Sequence, residues 1–243
     1  MKTVLITGAS SGIGQQLAVD YAADGWNVVA CGRDGAKLAQ VLNQSNIEFA
    51  VFDMLDRDSV HAAIDGCATP DLVILNAGNC EYVDSPRQFD AELFDRVMQT
   101  NVQGTANCLA AILPKMQAGS RLSIMSSSVT FLPLTRAEAY GASKAALDYL
   151  TRTLAIDLAP HDIGVSLIRP GFVDTPLTRV NDFPMPGLIT AQQASKAIRK
   201  GLERGHSEIA FPSLFILTMR LLSWLPSGIW RRIAISMQRR ATS

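Results

Sequence analysis

Short apolar runs punctuate the chain, and they lack the regular polar alternation of a half-solvated strand. They read TVLI (3–6), NVVAC (27–31), FAVF (49–52), LVILN (72–76), RLSIM (121–125) and GVSLI (164–168). Strands with this character are buried on both faces, as in parallel sheets covered by helices. Longer segments with helical periodicity lie between the runs. The alternation predicts an α/β fold: a single doubly wound parallel sheet with helices on both faces. In such sheets ligands bind beyond the carboxyl ends of the strands. No repeat or low-complexity linker interrupts the pattern, so residues 1–243 are expected to form one domain.

After Pro170 the pattern changes. PGFVDTPLTRVNDFPMPG (170–187) holds four prolines and two glycines and reads as a long loop. A helix is expected from about Ala191 to Glu203, so 176–208 reads as a substrate loop and helix within the domain. From Ile209 to Ser243 the tail is apolar and cationic. It has no acidic residue and five arginines: 220, 231, 232, 239 and 240. Pro212 and Pro226 bracket a helix of about 13 residues, too short to span a bilayer. Trp224, Trp230 and the flanking arginines suit a helix lying in a membrane interface. Two readings stay open: peripheral membrane contact, or packing of the tail over the substrate cleft or a subunit interface.

Composition narrows the partners. The chain is 48% hydrophobic and 18% charged, enough to build a large core. Lys+Arg and Asp+Glu balance at 22 each, so no global field favours nucleic acid. Cys31, Cys67, Cys80 and Cys108 are scattered without a CxxC pair, which suits free thiols in a reducing cytoplasm. The N-terminus enters a strand directly, without a secretory pattern, and no apolar stretch reaches about 18 residues. A cytoplasmic location is expected. His61, His161 and His206 share no motif, and no metal site is expected. Asp56 and Asp58 look like a solvated helix start.

TGASSGIG (7–14) follows a strand and opens a helix. Gly8, Gly12 and Gly14 permit a tight turn and let backbone amides approach a pyrophosphate at a helix N-terminus. The plain alternative is simple punctuation of a strand-helix turn. The G-x-x-x-G-x-G spacing, followed in order by LNAG (75–78), TNVQG (100–104), YGASK (140–144) and RPGFVDT (169–175), resembles the short-chain dehydrogenase/reductase family. The resemblance runs to about Thr178. It implies a Rossmann fold and hydride transfer between a nicotinamide cofactor and a carbonyl or alcohol substrate.

On a helix, Tyr140 and Lys144 share one face. A free tyrosine has a pKa near 10, and a neighbouring ammonium is expected to lower it toward working pH. A serine at the end of IMSSSV can donate to the substrate oxygen. Ser127 lies 13 positions before Tyr140, close to the family spacing. Ser128, directly before Val129, is the alternative, and Ser126 is assigned to packing. The resemblance implies that Asn101 holds a water linking Lys144 to solvent. It also implies a cofactor site formed by Gly8, Ser10, Ser11, Gly12, Ile13, Gly14, Asp53, Met54, Asn76, Ala77, Gly78, Tyr140, Lys144, Pro170, Gly171, Val173 and Thr175. Within that site Asp53 meets adenine, and Val173 and Thr175 meet the nicotinamide carboxamide.

At the second strand end, CGRD (31–34) places Gly32 where an acid would favour NAD, followed by Arg33. A guanidinium there favours the extra phosphate of NADP over NAD. The expected activity is an NADP-dependent oxidoreductase with a lipophilic carbonyl or alcohol substrate. A 3-oxoacyl carrier-protein reductase and a non-catalytic NADP sensor remain alternatives. The family habit and the apolar helices around Asn101 and Tyr140 imply a homodimer.

Overall fold

The computed structural model describes the backbone of residues 1–241 and the side-chain surroundings of residues 1–237. Seven parallel strands form the main sheet: β1 Thr3–Thr7, β2 Asn27–Gly32, β3 Ile47–Val51, β4 Leu72–Leu75, β5 Arg121–Met125, β6 Gly164–Pro170 and, counting two short strands in between, β9 Glu208–Phe211. Their order is β3-β2-β1-β4-β5-β6-β9. β7 Val173–Asp174 and β8 Ile189–Thr190 pair beside it as a two-stranded ribbon. The helices are α1 Gly12–Ala23, α2 Gly35–Val41, α3 Arg57–Asp65, α4 Ala91–Met98, α5 Gly104–Ile112, α6 Glu138–Asp157, α7 Ala191–Glu203, α8 Ser213–Ser223 and α9 Ser227–Ala241.

The runs of Val, Ile and Leu explain the double layer. Alternate residues of a strand point to opposite faces. Val4 and Ile6 of β1 therefore pack with Leu17 of α1, Leu38 of α2 and Ile198 of α7. Leu5 between them faces Val60 of α3, Ile112 of α5 and Leu147 of α6. Both faces are covered, as the unbroken apolar runs require. β3 departs from the expectation of full burial: Phe49 and Val51 are exposed. It is an edge strand, so part of its surface meets no helix.

The tail taken to begin at Ile209 starts inside the main sheet. Its first residues form β9, whose Ile209 and Phe211 are buried beside β6. The run EIAF is too short to stand out beside the longer apolar runs. The helix between the two prolines spans 11 residues, near the expected length. The expected helix at Ala191–Glu203 forms over those residues, held at its start by a reciprocal Thr190–Gln193 capping box. Asp56, read as a helix start, caps α3 by accepting from the Asp58 and Ser59 amides.

Candidate active site

The register brings the carboxyl ends of the central strands level. Thr7 lies beside Cys31, Leu75 beside Ile124, Met125 beside Ile168, and Pro170 beside Phe211. The segments after β1, β4, β5 and β6 therefore open onto one cleft of about 470 Å³. Thr7 fastens two of them: its hydroxyl accepts from the amides of Asn76 at 3.0 Å and Ala77 at 3.1 Å. Asn76 Nδ2 donates back to the Thr7 carbonyl at 3.0 Å.

One half of the cleft is a backbone cradle. Gly8, Ser10, Ser11, Gly12 and Ile13 line it at the start of α1. Gly8 and Gly12 have φ of +69° and +57°, a region that disfavours any side chain. Gly14 does not line the cleft. A Cβ there would lie 2.3 Å from the Gly8 carbonyl oxygen, so this glycine is needed for the helix to close on the turn. Asp34, Asp56, Asp90 and Thr190 cap α2, α3, α4 and α7 through their side chains, but Ser11 makes no such bond at the start of α1. The uncapped amides and their dipole suit an anion. Arg33, Asp53 and Met54 line the cleft at the ends of β2 and β3, and Asn76, Ala77 and Gly78 line it after β4. Across from the cradle lie Pro170, Gly171, Val173 and Thr175, with Thr175 Cγ2 packed close against Gly12. These residues fit a dinucleotide with its pyrophosphate at the α1 terminus.

The other half holds the reactive side chains. Ser127, Tyr140 and Lys144 line it, whereas Ser128 is buried in the turn of 3-10 helix that follows. Lys144 is buried, donates from Nζ to the Met125 carbonyl at 2.9 Å, and lies 5.7 Å from the Tyr140 ring centre. Burial lowers its pKa to about 8, partly opposed by Cys80 and Asp148. The lowering of the Tyr140 pKa expected from this ammonium is absent in the free cleft. Burial raises the phenol well above its ordinary value and Cys80 adds to this, while the Ser127 hydroxyl opposes it. Lys144, its own pKa about 8, is neutral before the phenol ionises, so it offers the phenolate no cation.

Asn101 does not line the cleft. It is fully buried in a π-helical turn, Gln99–Gln103, between α4 and α5. Its Oδ1 accepts from the Asn79 amide at 2.8 Å, and its Nδ2 donates to the Asn79 carbonyl and the Ser143 hydroxyl, each at 2.9 Å. The side chain clamps the segment after β4 to α6. Gly78 makes that closeness possible, since a Cβ there would lie 2.9 Å from Asn101 Oδ1 and 3.4 Å from Lys144 Nζ.

Several site residues escaped the sequence reading. Lys37, in the first turn of α2, lines the same end of the cleft as Arg33. Its signal was available as a cation four positions after Arg33. Cys80 lies near Tyr140 and Lys144, with its thiol held protonated by burial. Beneath the site, Asp148 accepts from the Ser126 hydroxyl and pairs with Arg169, which also reaches Glu208 at 3.2 Å. Arg169 and Asp148 are both buried. The pair joins the end of β5, one turn of α6 beyond Lys144, and the strand leading to Pro170. Outside the cleft lining, Arg136 pairs with Asp84 and Asp182 at 2.7 Å each and lies over the Tyr82 ring. Tyr82, Phe183, Phe172 and Phe215 continue from there as a chain of aromatic contacts.

A seven-stranded sheet, a glycine cradle and a Ser-Tyr-Lys set in one cleft define a nucleotide-binding oxidoreductase architecture. The chain belongs to the short-chain dehydrogenase family: the family's sequence model, described as short chain dehydrogenase, matches residues 2–183. It is 34% identical over 240 residues to an "Uncharacterized oxidoreductase" of Myxococcus xanthus, covering 94% of each chain. It is 31% identical to "11-beta-hydroxysteroid dehydrogenase 1A" of Arabidopsis thaliana, over 82% of this chain and 60% of that protein. A crystal structure of a short-chain dehydrogenase from Burkholderia cenocepacia in complex with NADP shares the fold. Its TM-score is 0.84 at 24% identity, covering 96% of this chain and 98% of that one.

Proposed function

We propose that this protein is an NADP-dependent carbonyl reductase or alcohol dehydrogenase acting on a lipophilic substrate. The observation that carries the reading is the convergence of Ser127, Tyr140 and Lys144 on the cleft that also holds the uncapped glycine cradle. A nicotinamide cofactor held by the glycine cradle and by Tyr140 and Lys144 would supply or accept the hydride. Tyr140 gives or takes the hydroxyl proton. Ser127 donates a hydrogen bond to the substrate oxygen as charge develops there. Lys144, cationic below about pH 8, orients the ribose. Asn101 acts through the backbone it holds. The aromatic chain from Tyr82 to Phe215 and the steroid-dehydrogenase relative support an apolar substrate.

The choice of NADP rests on Gly32, Arg33 and Lys37 at the ribose end, and the NADP complex of the Burkholderia protein supports it. Arg33→Ala is expected to raise the NADPH dissociation constant roughly tenfold or more, the cost of losing a charge-assisted hydrogen bond. The NADH constant should stay nearly unchanged. Fluorescence titration with both cofactors checks this, and equal shifts would reject the assignment. Loss of NADPH absorbance with a panel of steroidal, long-chain and small ketones tests the activity. NADPH binding without turnover of any of them would favour the sensor reading. Tyr149 and Ile156, exposed on α6, support a homodimer through that helix. A sedimentation mass of 26.2 kDa would exclude it.

A further inference from the structure

α8 has two apolar faces, and the protein covers only one of them. On the inner face Ile216 and Met219 are buried, and Phe215 and Leu222 pack with Trp230 and Leu132. The outer face carries Leu214, Leu217, Leu221 and Trp224, which are 79%, 54%, 51% and 80% exposed. These positions recur at helical spacing and form one stripe. Thr218 interrupts the stripe but donates its hydroxyl to the Leu214 carbonyl at 3.0 Å, leaving the surface largely apolar. Single exposed leucines are ordinary on a protein surface, but a continuous stripe of large apolar side chains marks a contact.

Charge identifies what it meets. No acidic residue occurs from Ile209 to Ser243. Arg231 and Arg232 are exposed on α9 and, among the described residues, form no ion pair. Arg239 and Arg240 lie outside the residues with described side chains. An apolar stripe in a segment without acidic residues, whose neighbouring Glu208 is paired with Arg220, and with a tryptophan at the helix end, suits a surface that is both anionic and apolar. At about 1.5 Å per residue, α8 is roughly 16 Å long, well short of the ~30 Å hydrocarbon core. Among the described residues no helix is long and apolar enough to cross a membrane. We propose that the outer face of α8, with the arginines of α9, docks on the surface of an anionic lipid bilayer.

The anchorage of α8 fits this role. β9 is hydrogen-bonded to β6, Arg220 pairs with Glu208 at 2.6 Å, and the Trp230 indole donates to the Pro133 carbonyl at 2.9 Å. The inner side of the tail is therefore fixed while the stripe stays free. Phe215 on that inner side packs on Gly171, at the edge of the cleft. One helix thus joins the lipid-facing surface to the substrate end of the site. The docking does not depend on the catalytic reading, because it rests on surface composition alone.

Co-sedimentation of the full chain with vesicles tests it, using phosphatidylcholine alone and phosphatidylcholine mixed with phosphatidylglycerol. The protein is expected to pellet with the mixed vesicles at low salt and to be released at high salt. Leu217→Asp and Trp224→Asp should each cut the bound fraction about tenfold or more. Arg231→Gln and Arg232→Gln, each removing one charge, should each cut it by about fivefold. Circular dichroism and melting of each variant confirm that its fold is kept, and Leu217→Ser provides a milder change at the same place. Three results would overturn the proposal: intact protein left in the supernatant at low salt, binding undiminished by the stripe substitutions, or a sedimentation mass halved by them. The last would show a second copy covering the stripe. Partitioning is read without turnover, so an inactive protein that pellets still supports docking.

Discussion

Tyr140→Phe is expected to lower kcat by about 10²–10⁴-fold while leaving the NADPH dissociation constant near that of the parent. The phenol oxygen is the group in the cleft suited to exchange a proton with the substrate oxygen. The ring packs the same way without it, so the loss is of chemistry and not of architecture. Lys144 stays anchored to the Met125 carbonyl, a contact that does not involve the tyrosine. Steady-state rates with the best ketone, set beside a cofactor titration, separate the two effects. Retention of more than a few per cent of the rate would assign the proton to another acid. Ser127→Ala and Ser128→Ala belong in the same experiment. The larger loss is expected at Ser127, which lines the cleft, and the smaller at buried Ser128.

The second large effect concerns stability. Asp148→Leu leaves the buried Arg169 guanidinium with only the more distant Glu208 and leaves the Ser126 hydroxyl only the Lys144 carbonyl, at 3.3 Å, as acceptor. Removing one partner of a buried pair typically costs about 3–5 kcal/mol, because the remaining charge is uncompensated. For a chain of this size, a loss of ~3 kcal/mol lowers Tm by roughly 6–12 °C. Pairing it with Arg169→Met should restore much of that loss, since both charges then go together. Thermal melting of the two single variants and the double variant gives the coupling directly. If the double variant melts no higher than Asp148→Leu alone, uncompensated charge is not what the pair prevents. Turnover is expected to fall as well, since the same pair fixes the strand end before Ser127 and the turn of α6 after Lys144.

Much of this was legible in the chain because the relevant signals are local. Runs such as TVLI and GVSLI gave six strands of the sheet, and the glycines around Ser10 and Ser11 marked the cradle. What escaped notice is non-local. β9 is a strand because Glu208–Phe211 finds the free edge of β6, some 40 residues away in the chain, and four residues carry too little pattern to predict that. Asp148 and Arg169 look like ordinary polar positions on a helix and a strand until the fold buries them together. Gly14 read as a phosphate contact, but its place is set by the Gly8 carbonyl that it must approach. The spacing of Tyr140 and Lys144 reports that they are close, but not how far burial sets the phenol and the ammonium apart.

The strand order carries a consequence for how the chain is made. From β1 onward, every strand of the main sheet adds to an edge that already exists: β2 beside β1, β3 beside β2, then β4, β5, β6 and β9 in turn on the other side. No strand has to be inserted between two that are already paired. The sheet can therefore grow in step with synthesis from the N-terminus, each new unit docking as it leaves the ribosome. The exception is the final step. Between β6 and β9 lie the ribbon strands and α7, so a nascent chain carries β6 as an uncovered, strongly apolar edge until Glu208–Phe211 emerges. Such an edge is a template for pairing with a neighbouring chain. The short strand Glu208–Phe211 pairs with the β6 edge and leaves a four-residue edge in place of a seven-residue one.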